Sequence, residues 1–169
     1  MRNFLNGCFV GVLVCFAVLI MLLSSGIWPI RATADPSPTE ARLARFSLGR
    51  ALKHYAAPRP NPVALSEANL LAGLKLFEDN CAGCHGTGGG RSHWGSSNFY
   101  PRAPQFGFER PTMPDWQLFA VVKDGIRYTG MGGWDGEMPE DDMWRVVTFL
   151  THLASLPPSV EGKWRLREK

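Results

Sequence analysis

An all-α chain is the fold class that this sequence predicts, and three observations predict it. The stretches that keep a sustained period have the helical one, and each is bounded by cap or proline chemistry. A long run without charge opens the chain, from Phe4 to Ile30. The segment from Gly86 to Phe108 is rich in glycine and proline, has no sustained period and reads as loop. A length of 169 residues is that of one domain with an appendage.

The uncharged run is long enough to cross a bilayer as a helix, which takes about 20 apolar residues. It is also longer than the apolar region of a cleaved signal peptide, roughly 7–15 residues. Residues 1–34 are therefore expected to be a retained anchor. Ala32-Thr33-Ala34 offers a small-residue cleavage site, so release of a soluble form after Ala34 is the alternative. Cys8 and Cys15 are seven apart on one helical face and read as small apolar filler.

Residues 35–62 read as a spacer. Asp35 to Glu40 is extended, and a helix follows from about Thr39 to Ala56, ended by Pro58 and Pro60. Ala41, Ala44, Leu48, Ala51, Leu52 and Tyr55 gather on one side of it. Arg42, Arg45, Arg50 and Lys53 gather opposite, with Leu43 and Phe46 among them. Such a basic amphipathic helix beside a membrane span suits either an anionic lipid surface or docking on a protein. Pro58 to Pro62 reads as a linker and a domain boundary.

The main domain is expected over 63–158. Ser66 caps a helix that runs through Asn80, with Leu70, Leu74 and Phe77 on one face. Pro114 opens a short helix to Asp124, ended by Gly125. Pro139 opens the last one, with Glu140, Asp141 and Asp142 in its first turn and Met143, Trp144, Val147, Leu150 and Leu153 on its apolar side. Pro157-Pro158 is expected to stop it, leaving 159–169 as a polar tail.

The first of the main-domain helices delivers Cys81-Ala82-Gly83-Cys84-His85, a C-x-x-C-H run, the attachment signature of haem c. Two thiols three positions apart can add to the two vinyl groups of one porphyrin, and the next residue can supply the proximal imidazole. A bare C-x-x-C would also suit a redox dithiol or half a zinc site. No second C-x-x-C and no His-x-x-x-His follows to complete the zinc alternative. With Cys81 and Cys84 both taken by haem, the domain has no cysteines left for a disulfide.

The region 67–156 resembles the class I cytochrome c family, and particularly its small bacterial members related to the haem-c subunits of cbb3-type oxidases. Three pieces carry the resemblance: Gly73-x-x-x-Phe77 leading into the C-x-x-C-H run, Gly125-Ile126-Arg127-Tyr128-Thr129-Gly130-Met131, and Trp144-Arg-Val-Val-Thr-Phe149-Leu150. It implies the class I cytochrome c fold around one covalently attached haem, with a close crossing of the first and last helices at Gly73. It implies thioether bonds at Cys81 and Cys84, His85 as proximal iron ligand and Met131 as distal ligand. Many members have proline after the distal methionine, where this chain has Gly132. Met113, Met138 and Met143 are the rival thioethers. In the family a proline carbonyl orients the proximal histidine, and here Pro101 and Pro104 are both candidates.

His54 and His152 read as surface or packing residues, and His93 as a loop residue near the haem. Arg91, Arg102, Tyr100, Trp94, Trp116 and Trp134 are candidates to reach the propionates. Setting aside Arg2 and Arg31 from the 18 basic residues leaves 16 against 15 acids, a balance that gives no footing for nucleic acid. Asp135, Glu137, Glu140, Asp141 and Asp142 would favour a basic partner if they rim the haem edge.

The expected function is electron transfer by a membrane-anchored monohaem c-type cytochrome with His/Met ligation. It would shuttle electrons between redox protein partners (a membrane oxidoreductase, oxidase or dehydrogenase) and catalyse nothing alone, with no small-molecule substrate. A haem-c electron-entry subunit of a larger oxidase or dehydrogenase complex is the alternative. A five-coordinate haem enzyme or gas sensor would require that Met131 not bind iron. The flanking arginines alone would keep the C-terminal part in the cytoplasm. Covalent haem attachment takes place outside the bacterial cytoplasmic membrane, and whole domains translocate largely regardless of charge. The domain is therefore expected on the periplasmic face.

Overall fold

The computed structural model describes residues 2–27 and 30–166, which form helices, turns and loops without a strand among them. Trp28 and Pro29 of the uncharged run, the side chains of Arg2 and Asn3, and residues 167–169 of the expected tail lie outside the described residues. The chain divides into two compact units, Met1–Ala34 and Asp35–Lys169.

The first unit holds one helix, α1 (Arg2–Ser24). Its apolar stretch, Phe4–Ser24, has the length and composition to cross a bilayer. At 1.5 Å per residue, α1 is about 35 Å long, enough for the roughly 30 Å hydrocarbon core. The helix stops at Ser24, earlier than the uncharged run itself. There the Ser24 hydroxyl donates to the Ile20 carbonyl at 2.8 Å, and the Ser25 hydroxyl to Leu22 at 2.7 Å. Each serine thus competes for carbonyls in the last turns.

The second unit begins with α2 (Pro38–Tyr55), capped by Ser37, whose hydroxyl accepts from the Glu40 N–H at 3.2 Å. This helix is no free-standing spacer. It packs on a later helix, α6 (Asp115–Asp124), and buries Leu52. Asp35 pairs with Arg102 at 3.1 Å, and the Tyr100 hydroxyl donates to the Glu40 carboxylate. The proline-rich stretch expected to be a linker is also tied down. Arg59 lies 4.4 Å over the Phe119 ring and pairs with Glu140 at 3.0 Å. The Asn61 amide donates to Thr148 Oγ1 at 2.9 Å, and Thr148 in turn donates to the Trp144 carbonyl at 2.9 Å. Polar side chains between the prolines do this, and composition gives no sign of it.

The centre of the unit is the crossing of α3 (Glu67–Asn80) with α7 (Glu140–Thr151). Ser66 caps α3 through its hydroxyl, which accepts from Asn69 N–H at 3.2 Å. A Cβ placed on Gly73 would lie 2.1 Å from the Arg145 carbonyl oxygen and 2.9 Å from the Phe149 Cβ, so the two backbones touch there. Leu70, Leu74 and Phe77 meet Met143, Trp144, Val147, Phe149 and Leu150 in one apolar cluster, to which α6 adds Leu118, Phe119 and Val122. Phe119 stacks on Trp144 with ring centroids 4.0 Å apart.

The C-terminal end departs from expectation. Helix α7 ends at Thr151, and residues expected to be a polar tail form α8 (Pro158–Arg165). Val160 and Trp164 are only 0% and 6% exposed, and Trp164 meets Phe77 and Phe149 edge-on at 5.5 and 5.3 Å. Proline ends one helix but equally suits the first position of the next, because its missing N–H is unpaired there anyway. Pro158 is such a start.

Candidate functional site

The site grows out of the C-terminal end of α3. Cys81 caps that helix, and Ala82–His85 continues as a single turn, α4. The Cys84 and His85 N–H groups both donate to the Cys81 carbonyl, at 3.1 and 2.9 Å. Cys81, Cys84 and His85 therefore share one rigid turn that begins where a core helix ends. Both thiols are free and partly buried. Burial pushes the Cys81 thiol up to about 12, with a smaller push from Cys84. A redox dithiol works through a lowered thiol pKa, the opposite direction to that at Cys81. Among the described residues no three His, Cys, Asp or Glu side chains gather to hold a metal ion.

His85 is held by two contacts. Its Nδ1 lies 2.9 Å from the Pro104 carbonyl, and its ring stacks on Phe106 at 4.7 Å and 12°. A carbonyl only accepts, so Nδ1 carries the proton and Nε2 keeps its lone pair. Burial lowers the His85 pKa, against a smaller upward pull from the Pro104 bond, so the imidazole is neutral as a metal ligand must be. Of the two prolines that sequence leaves open, Pro104 is the one that meets the ring.

Gln105 is a residue that sequence reasoning missed. It is buried, and its amide donates to the Cys84 carbonyl at 2.9 Å and to Ala103 at 2.8 Å. Its Oε1 accepts from Ser92 N–H at 2.7 Å, and the Ser92 hydroxyl donates to Gly83. One side chain thus ties the C-x-x-C-H turn to both sides of the loop around it. Ser92 also caps a five-residue helix, α5 (His93–Ser97), inside the segment expected to be loop throughout. Gly95 of α5 lies against the turn so closely that a Cβ there would fall 1.8 Å from the Cys84 carbonyl oxygen.

The Met131 segment is a closed loop of its own. Ile126 N–H donates to the Met131 carbonyl at 2.9 Å, and Met131 N–H donates to Thr129 Oγ1 at 3.1 Å. Gly125 starts it at φ +71°, where a side chain would be strained. Tyr128, at φ 64° and exposed, forms its tip. Gly130 abuts the Phe99 ring, which meets Trp94 of α5 edge-on at 5.8 Å. Gly95, Trp94, Phe99 and Gly130 thus link the C-x-x-C-H turn to the Met131 loop. Of the four candidate methionines, Met138 and Met143 are buried in the apolar cluster and Met113 packs against it, whereas Met131 stands apart, partly exposed.

The donor set fits a covalently held haem: two unpaired thiols on one turn, an imidazole with Nε2 unprotonated, and a thioether outside the core. The other candidates have different employment. Arg102 and Tyr100 bind Asp35 and Glu40 of the spacer, and Arg91 lies 4.4 Å over Phe108. Trp134 packs against the core cluster, and Trp116 is half-buried on α6. His54 is exposed against Tyr55, His93 is exposed on α5, and His152 donates to the Thr148 carbonyl at 2.8 Å. Of the acids after the Met131 loop, Asp135 pairs with Lys123, Glu140 with Lys123 and Arg59, and Asp142 with Arg145.

Residues 68–150 match the family model for the cytochrome C oxidase, cbb3-type, subunit III. The chain is also similar to the cbb3-type cytochrome c oxidase subunit CcoP of Rubrivivax gelatinosus. The two are 26% identical over 159 aligned residues, which cover 86% of this chain and 48% of that protein. The chain thus spans about half the length of that curated relative.

Proposed function

We propose that residues 68–150, which match the cbb3-type subunit III family model, form a cytochrome c domain with covalently bound haem c, and that the chain is a membrane-anchored, monohaem electron carrier. Cys81 and Cys84 provide the thioether links, His85 the proximal ligand and Met131 the distal one. The observation that carries this reading is the Pro104 carbonyl 2.9 Å from His85 Nδ1, on the same turn as the two thiols.

When bound, haem c supplies a one-electron couple between ferric and ferrous iron. The protein's part is to hold two donors still. Pro104 keeps the proton on Nδ1 and leaves Nε2 to ligate, Phe106 limits rotation of the ring, and Gln105 fixes the turn that carries it. Met131 offers a soft, neutral donor that favours the ferrous state and raises the potential. Were His85 and Met131 both to ligate the iron, they would leave no position for oxygen or a substrate. Helix α1 holds the domain at the outer face of the cytoplasmic membrane, where tethering raises its local concentration beside membrane oxidoreductases.

Purification of the full chain from a host competent in haem c attachment tests the covalent part. The peptide containing Cys81 to His85 is expected to carry the mass of one haem. A chain that matures without it contradicts the proposal. The similarity to an oxidase subunit supports a second reading, in which the chain is the electron-entry subunit of an oxidase. Extraction from native membranes in mild detergent separates the two: a lone chain is the carrier, and a stable complex is the subunit.

A further inference from the structure

Helix α2 packs on the domain through Leu52 and half-buries Ala41, Leu48 and Ala51 on the same side. At 100° per residue, the face turned away carries Arg42, Leu43, Phe46, Arg50 and Lys53. All five are exposed, Leu43 by 67% and Phe46 by 68%. Among the described residues none of Arg42, Arg45, Arg50 or Lys53 forms an ion pair, as is also true of Arg91, Arg110, Arg127 and Lys163. The acid of the helix, Glu40, is engaged with Tyr100.

We propose that this outward face lies on an anionic lipid bilayer, with Phe46 and Leu43 inserted at the headgroup boundary and its three cations, Arg42, Arg50 and Lys53, against lipid phosphates. Docking by the opposite face explains why two large apolar side chains remain uncovered amid unpaired positive charge. A protein groove for Phe46 and Leu43 would have to be acidic on every side, whereas an anionic bilayer offers apolar depth and negative charge together. The inference rests in part on the anchor reading of α1, since residues 25–37 span at most about 45 Å and would keep α2 near the membrane. Because Glu40 of α2 holds Tyr100 and Asp35, just before the helix, holds Arg102, beside Pro104, lipid contact would set the orientation of the haem-bearing loop to the membrane plane.

The test uses the full chain with Phe46→p-benzoylphenylalanine, mixed with vesicles of phosphatidylcholine alone or with three parts in ten phosphatidylglycerol. Flotation reports the anchor, and photo-adducts at position 46 report α2. Flotation with both vesicle types, and lipid adducts concentrated in the anionic one, is the expected result. Adding Arg42→Glu, Arg50→Glu and Lys53→Glu is expected to cut adduct yield by roughly fivefold per cation lost. Flotation with both types but adducts that are absent, equal in both or formed only with protein overturns the proposal and leaves the anchor standing. Flotation with anionic vesicles only, with lipid adducts, overturns the anchor and supports the α2 contact. No flotation overturns both.

Discussion

Gly73 and Arg145 touch through their backbones: a Cβ at position 73 would sit 2.1 Å from the Arg145 carbonyl oxygen. This contact sets the spacing of α3 and α7, and with it the position of the C-x-x-C-H turn at the end of α3. Gly73→Ala should therefore force the helices apart at a cost of about 2–3 kcal/mol, as overpacking of a tight core does. Urea denaturation of the haem-loaded chain checks it, and unchanged stability would mean that the crossing is looser than described.

Helix α8 is expected to behave as core. Trp164→Ala removes a ring that meets Phe77 and Phe149 and should cost roughly 3–5 kcal/mol. Gly162, on the same helix with nothing within 4 Å of a built Cβ, gives the opposite sign. Gly162→Ala should stabilise by about 0.5–1 kcal/mol through helix propensity. Thermal melts of the two variants side by side decide whether α8 is docked.

Gln105 should be far more sensitive than its loop setting suggests. Gln105→Leu leaves the Cys84 and Ala103 carbonyls and the Ser92 N–H without their partner, at a cost of about 2 kcal/mol or more. Gln105→Glu should fare no better, because a carboxylate has no proton to give the two carbonyls. Denaturation measures the loss, and a lowered yield of haem attachment is expected alongside it. Full stability in both variants would show that Gln105 does not hold the turn.

What the sequence made legible follows from how local the signal is. Helices α3 and α6 were readable to within a residue because a capping Ser66 and the Pro114–Gly125 brackets coincide with apolar periodicity. The close approach at Gly73 was an expectation of the family resemblance, and the packing bears it out. Helix α8 is not legible in the sequence because Pro157-Pro158 suits a helix end as well as a start, and eight residues with Val160 and Trp164 as their apolar pair give little period to read. Helix α5, five residues of His, Trp, Gly and Ser, has no propensity signal beyond the Ser92 cap. Gln105, Arg59 and Asn61 act over long sequence separations, and nothing in their neighbours marks them. The choice between Pro104 and Pro101 for His85 is likewise a matter of tertiary geometry.

The ligand pair is the centre of this account, and the near-infrared spectrum of the ferric full chain in detergent tests it most directly, with carbon monoxide added to the ferrous form as a companion reading. Low-spin haem c with a sulfur-to-iron charge-transfer band, no prompt carbon monoxide binding, and loss of the band with gain of carbon monoxide binding in Met131→Ala are expected. A high-spin spectrum that shifts at once with carbon monoxide, or a Met131→Ala spectrum identical to the parent, would contradict it.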